Sequence, residues 1–178
     1  MKKSDINPMP QYFDRYINLV ADVELSQAFD DSFRQIEKLD TDLLAKIGGK
    51  TYASGKWTIK DIFQHIVDFE RILTYRALLF ARQNPEAPKG IDEQLFASNA
   101  NTEKRAIGAL IEELKIVRTA TKSLYSTFDD ETLLKTGLNW KYEISVLAMG
   151  FNIVAHQIHH FKIIEEKYYP LVGKNQDF

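Results

Sequence analysis

The chain has no cysteine among its 178 residues. That absence removes disulfides, thiolate metal ligands, iron–sulfur clusters and a cysteine nucleophile together, and it fits a reducing compartment. A surplus of one charge sign is missing too: 23 Lys and Arg stand against 25 Asp and Glu, a formal charge of −2. Without a strong basic field to hold a phosphate backbone, nucleic acid is not an expected partner. No apolar run approaches the roughly 20 residues of a membrane helix. Met1-Lys2-Lys3-Ser4-Asp5 leads into Asn7-Pro8-Met9-Pro10 without the apolar stretch of a signal peptide. Internal repeats and low-complexity tracts are lacking, as are the P-loop, G-x-S-x-G and G-x-G-x-x-G motifs. The expectation is a soluble cytoplasmic protein with one domain over residues 1–178 and no membrane association.

What is present is helical periodicity, in a chain that is 44% hydrophobic and long enough to bury roughly 70% of its unfolded surface. Pro8 and Pro10 mark a lead-in, and the aromatic-rich residues 12–20 predict a short helix or irregular clamp. Leu25, Phe29, Phe33, Ile36 and Leu39 recur at steps of four, four, three and three, with Asp30, Asp31, Arg34, Glu37 and Lys38 on the other face. This predicts a first long helix that stops before Gly48-Gly49. Residues 50–57 read as a loop, and Thr58, with Asp61 three residues on, reads as an N-cap and capping box. A second helix is predicted over residues 59–82, ended by Asn84-Pro85, its buried stripe Ile62, His65/Ile66, Phe69, Ile72/Leu73 and Arg76.

Residues 85–101 form a long connection with a helical turn near 92–96. A third helix spans about 103–128, with Ile107, Leu110/Ile111, Leu114, Val117 and Leu124 inward. Residues 129–140 are a second connection, carrying a helical turn and Gly137. The fourth helix, about 144–169 and ended by Pro170, is the most apolar: one stripe is Val146, Met149, Ile153, His156, His160 and Ile163, the next Leu147, Phe151, Val154, Ile158 and Phe161. Such a helix is packed by neighbours on several sides. Four long amphipathic helices with connections of different lengths imply an all-α four-helix bundle behind a short N-terminal aromatic segment.

The four histidines are distributed unevenly. His65 stands alone on the inward stripe of helix two, while His156, His159 and His160 fall within five residues on the most buried helix. A lone inward histidine is ordinarily a core residue bonded to a carbonyl. Two at i and i+4 are different: they stack on one helical face, roughly 5–6 Å apart at Cβ, and an apolar core cannot supply partners for both rings. A third imidazole from a facing helix completes three neutral nitrogen ligands and leaves positions for water or substrate. His159 lies on another face and receives no assigned role.

Sharper motifs fail. His156-Gln157-Ile158-His159-His160 has the outline of H-E-x-x-H, but Gln157 replaces the general-base glutamate, and an amide takes no proton at neutral pH. A di-iron bundle needs Glu three residues before each ligating histidine, where this chain has Ile62, Ile153 and Gln157. Asp68, one turn after His65, is a candidate to orient a ligand, or else a solvated or ion-paired carboxylate. Trp57, Tyr75 and Arg76 are candidates for the mouth of the site. Their plainer readings are packing for the two aromatics and an ion pair for Arg76, although an inward arginine also holds a carboxylate in bidentate fashion.

The segments Gly55-Lys56-Trp57-Thr58-Ile59-Lys60-Asp61, His65-Ile66-Val67-Asp68-Phe69-Glu70-Arg71 and Tyr75-Arg76-Ala77-Leu78-Leu79-Phe80-Ala81-Arg82 together resemble the helix-two signature of the DinB-like superfamily. Ser98-Asn99-Ala100-Asn101 and Ala155-His156-Gln157-Ile158-His159-His160 continue the likeness in order. Tyr12-Phe13-Asp14-Arg15-Tyr16-Ile17 resembles an N-terminal clamp of the subfamily. The resemblance implies an up-down-down-up bundle with one divalent metal, nickel or zinc, held by His65, His156 and His160. It implies relatives that are metal hydrolases or transferases and isomerases using low-molecular-weight thiols, often as homodimers. The expectation is therefore a metal-dependent hydrolase or transferase acting on a small molecule, with thiol S-transferase-like chemistry favoured and its catalytic residue unassigned. The competing expectation is a non-catalytic, stress-associated dimeric bundle that binds a metal or ligand. Three histidines without a fourth protein ligand speak against a purely structural zinc, which ordinarily has four.

Overall fold

Thr58 and Asp61 cap each other in the expected way. Asp61 Oδ2 accepts from the Thr58 backbone at 2.8 Å, and Thr58 Oγ1 accepts from the Asp61 backbone at 3.3 Å. The computed structural model describes residues 1–84 and 88–173. Its helices are α1 (Asp14–Ile17), α2 (Leu25–Glu37), α3 (Thr41–Ile47), α4 (Ile59–Ala81), α5 (Glu93–Asn99), α6 (Ile107–Tyr125), α7 (Asp130–Leu134) and α8 (Val146–Ile163). One antiparallel hairpin joins β1 (Thr136–Asn139) to β2 (Tyr142–Ser145). The expected helix two matches α4, whose C-cap is Arg82. The stop signal assigned to Pro85 lies outside the described residues.

Three expectations are corrected. The first long helix is two pieces, because Asp40 accepts from the Leu43 amide and so starts α3 afresh. The third helix is shorter at both ends, Thr102–Lys104 being a separate 3₁₀ turn. The fourth begins at Val146, because Ser145 caps it through the Ala148 amide and Ile144 pairs with Gly137 in the hairpin. At its far end Pro170 does not terminate it: a π turn (Ile164–Tyr168) runs on into a 3₁₀ turn (Tyr169–Val172) that begins just before this proline. Proline lacks an amide donor, and the first residues of a helical turn need none.

Cross-helix contacts fix the topology. Along α4 and α6, Glu70 meets Arg118 and Thr74 meets Thr121, in the same chain direction. Along α2 and α6, Asp30 meets Lys122 and Ser32 meets Arg118, in opposite directions. The α4 and α8 helices are antiparallel, Trp57 O accepting from Tyr168 Oη at 2.5 Å at one end while Phe80 packs under Gly137 at the other. The order is up-down-down-up, with α2 and α4 on one diagonal and α6 and α8 on the other. The long connection from α4 to α6 is what lets two successive helices run parallel.

Two apolar clusters fill the bundle, one around Phe29, Tyr125, Leu147 and Phe151, the other around Ile59, Phe63, Leu110 and Leu114. Glycine lets elements approach closely at two points: a Cβ on Gly137 would lie 2.1 Å from the Phe80 ring, and one on Gly150 would lie 2.8 Å from Leu25. Between the clusters each long helix contributes one polar residue to a closed layer. Arg118 (0% exposed) forks onto Glu70 at 2.7 and 2.8 Å and donates to Ser32 Oγ, which donates to Phe29 O. Gln157 Nε2 donates to Ser32 O at 3.0 Å.

Candidate metal centre

His65 sits near the start of α4, and His156 and His160 sit in the second half of α8. Because the helices are antiparallel, those segments face each other. The Nε2 atoms of His65 and His156 are 3.0 Å apart, and those of His160 and His156 are 3.1 Å apart. The three ligand atoms lie within 4.8 Å of one another. Two nitrogens each bonded at roughly 2.0–2.1 Å to one cation take spacings of this order.

Burial keeps these rings neutral. It pulls His65 down to about 4, with the neighbouring His159 adding to the effect. His156 and His160 are held well below the usual imidazole range, by burial first and then by the other histidines. Neutral imidazole is the metal-binding form. Each close nitrogen pair needs a proton or a cation between its members, and the single Nε2 of His156 faces both partners. One divalent cation would occupy all three lone pairs together, so the donor set fits a metal. Phe69 packs on His65 and His156 with centroids 4.3 and 5.4 Å away, and Trp57 lies 4.8 Å from His65. These rings fix the imidazoles and offer them no competing acceptor. His160 Nδ1 is buried without a partner among the described residues.

The histidines form one part of the wall of a cavity of about 510 Å³, within the range of small-molecule sites. Trp57, Arg76 and His159 line it as well. His159 is therefore on the cavity side, its ring edge against Tyr16 at 5.1 Å and its pKa lowered by burial, Arg15 and Lys162. Tyr75 is not part of the lining; it is 57% exposed. The reason is angular: at about 100° per residue, the eleven steps from His65 to Arg76 return to one face, and the ten steps to Tyr75 do not. Asp68 takes the ion-paired alternative. Its Oδ1 accepts from Gln64 Nε2 at 2.9 Å and lies 3.9 Å from Arg71, and it makes no hydrogen bond to an imidazole. Burial raises its carboxyl above the ordinary value, against the Gln64 hydrogen bond and Arg71.

Sequence reasoning missed Asn139, Trp140, Asn152 and Glu93, which also line the cavity. Asn152 was accessible to it, standing one turn before His156 on the same stripe. Asn139 and Trp140 arrive on the hairpin, which has no local helical signal. Trp140 and Tyr12 both adopt positive φ, 61° and 71°, and their rings meet at 5.4 Å over the cavity. Gln157 points away from the imidazoles into the closed polar layer, where its Nε2 donates to Ser32 O and Gln35 Oε1.

Comparison with known proteins agrees with this architecture. The protein YfiT from Bacillus subtilis, described as a probable metal-dependent hydrolase with an unusual four-helix bundle topology, superposes with a TM-score of 0.68 at 18% identity, over 91% of this chain and 89% of YfiT. At that identity the likeness concerns the fold. None of the curated proteins matches the sequence. Among the described residues, no helix is long and apolar enough to cross a membrane. The DinB superfamily matches residues 24–164, from the cap of α2 to the residue after α8, and the chain belongs to that superfamily.

Proposed function

We propose that this protein is a divalent-metal-dependent enzyme that hydrolyses a small molecule or transfers part of it to a thiol, with zinc or nickel bound by His65, His156 and His160. One observation carries the reading: the three convergent nitrogens lie on the wall of a solvent-connected cavity, not inside a sealed core. A divalent ion held there by His65, His156 and His160 would supply Lewis acidity to activate a nucleophile. Imidazole ligands suit both metals.

The other steps belong to the chain. Phe69 and Trp57 pack against the imidazole rings and hold their orientation. Glu93 is the one carboxylate among the described residues that line the cavity, and its pKa is raised by burial first and by Asp92 second. A carboxylate on the cavity wall is placed to accept and return a proton, which favours hydrolysis. Transfer to a low-molecular-weight thiol is the second reading. It is favoured by the absence, among the described residues, of a carboxylate bonded to any of the three imidazoles, since a thiol is acidic enough to react without a strong proton acceptor. A small molecule, and a second copy of the chain forming a homodimer, are the partners proposed with it.

The test is turnover of ester and amide panels, with and without added thiols, on zinc-loaded, nickel-loaded and chelator-stripped protein. Turnover confined to the loaded forms supports the proposal, and a thiol requirement selects transfer over hydrolysis. Loss of thermal stability on stripping, with no turnover in any form, would instead support a non-catalytic metal-binding bundle.

A further inference from the structure

Two arginines are buried among the described residues, and they are treated differently. Arg118 is paired with Glu70 through both carboxylate oxygens. Arg76, 6% exposed, has no carboxylate partner among the described residues. It donates from Nη1 to Asn139 Oδ1 and from Nη2 to Lys89 O at 2.9 Å, while its Nε is buried without a partner among the described residues. A guanidinium has five N–H donors, so most of the fork is uncommitted. Buried charges are ordinarily paired. Arg76 lines the same cavity as the histidines, so the cavity is open to a counter-ion that would pair with it.

A second polar group points the same way. Asn152, 5% exposed, also lines the cavity, and its side-chain amide makes no hydrogen bond among the described residues. It stands one turn before His156, and because α8 runs antiparallel to α4, that turn is displaced toward the Arg76 end. The cavity therefore has an order: the histidines at one end, Asn152 next, then Arg76 with Asn139. Arg76 is eleven residues beyond His65, roughly 16 Å along the helix axis, and a long helical side chain leans back toward the N-terminus, shortening that gap. Phe69 and Leu73 make the apolar floor between the two ends.

We propose that Arg76, with Asn152 beside it, is a carboxylate-binding subsite, and that the substrate is a small carboxylic acid whose reactive group lies several bonds away, at the histidines. The planar fork, with donors to spare, matches a carboxylate in two-point contact. The substrate assignment rests on the metal-dependent reading above; the subsite itself does not.

Both tryptophans of the chain, Trp57 and Trp140, line this cavity, so intrinsic fluorescence reports its occupancy. The experiment titrates 3-phenylpropionate and its uncharged amide into zinc-loaded and chelator-stripped protein, with zinc measured separately by elemental analysis. The expected result is binding of the carboxylate about tenfold tighter than the amide in both metal states, a preference lost in Arg76→Gln and partly kept in Arg76→Lys. Zinc content stays unchanged in both variants. Asn152→Ala, which leaves the guanidinium in place, is expected to weaken the carboxylate by about threefold, and it carries the test if Arg76→Gln does not fold.

Equal binding of acid and amide by the stripped wild-type protein would overturn the subsite, as would a preference that survives Arg76→Gln. Carboxylate binding that disappears on stripping would assign the anion to the metal and overturn it as well. Protein that retains no zinc, yet still prefers the carboxylate through Arg76, would instead remove the metal reading and leave the subsite standing.

Discussion

Two polar constellations interrupt the apolar interior, and they differ in how completely their atoms are satisfied. The closed layer takes Ser32, Glu70, Arg118 and Gln157 from the four long helices and ties them to one another. The histidine cavity takes most of its lining from α4, α8, the N-terminal segment and the hairpin, and leaves Arg76 Nε and His160 Nδ1 without partners among the described residues. Gln157 Oε1 is the one such atom in the closed layer. Most buried polar groups are bonded where the fold alone has to be served, as all but one of these atoms in the closed layer are. A set left open is the place where something other than this chain completes the bonds.

Breaking the closed layer should cost the most. Arg118→Ala strands the Glu70 carboxylate in the core and is expected to destabilise by about 3–5 kcal/mol, measured by urea unfolding. A change below 1 kcal/mol would mean that the layer is not what aligns the helices. Emptying the open site should cost less. If zinc is present at about one hundred times its dissociation constant, chelation removes about 2.7 kcal/mol, a fall in Tm of roughly 5–10 °C for a domain of this size. A melting curve indifferent to both zinc and chelator would contradict a metal site in the native state. His156→Ala should abolish that zinc dependence while the far-ultraviolet circular dichroism remains helical.

Smaller effects sharpen the contrast. Gly137→Ala forces a methyl against the Phe80 ring beneath the hairpin and should cost about 1–3 kcal/mol. Thermal melts with no shift would show that the hairpin can lift off the end of α4. His159→Ala should stay within about 0.5 kcal/mol of wild type and keep its zinc, since the ring faces the cavity without joining the other three nitrogens. Large zinc loss in this variant would show that the wrong pair on α8 has been assigned.

The legibility of these regions in the sequence follows from their range along the chain. Thr58 with Asp61, and the stripes of α4 and α8, are patterns within a few residues, and the structure reproduces them. The break at Asp40 had a local signal too, an N-cap residue inside an otherwise continuous apolar stripe. The hairpin had none of the helical kind: Ile144 fits the register of the following helix, and only its pairing with Gly137 removes it. Glu70 and Arg118 read as ordinary charged residues on two amphipathic helices until the packing of α4 against α6 brings them together.

Helices are built from hydrogen bonds between residues four apart, so the sequence by itself determined the rods, their apolar faces and the pairing of His156 with His160 on one side of one rod. Which rods touch is decided by burial summed over the whole molecule, which no short window contains. Tertiary structure alone therefore decided that His65 meets that pair, that the hairpin brings Asn139 and Trp140 to the cavity, and that one buried arginine has a carboxylate partner while the other is left with donors to fill.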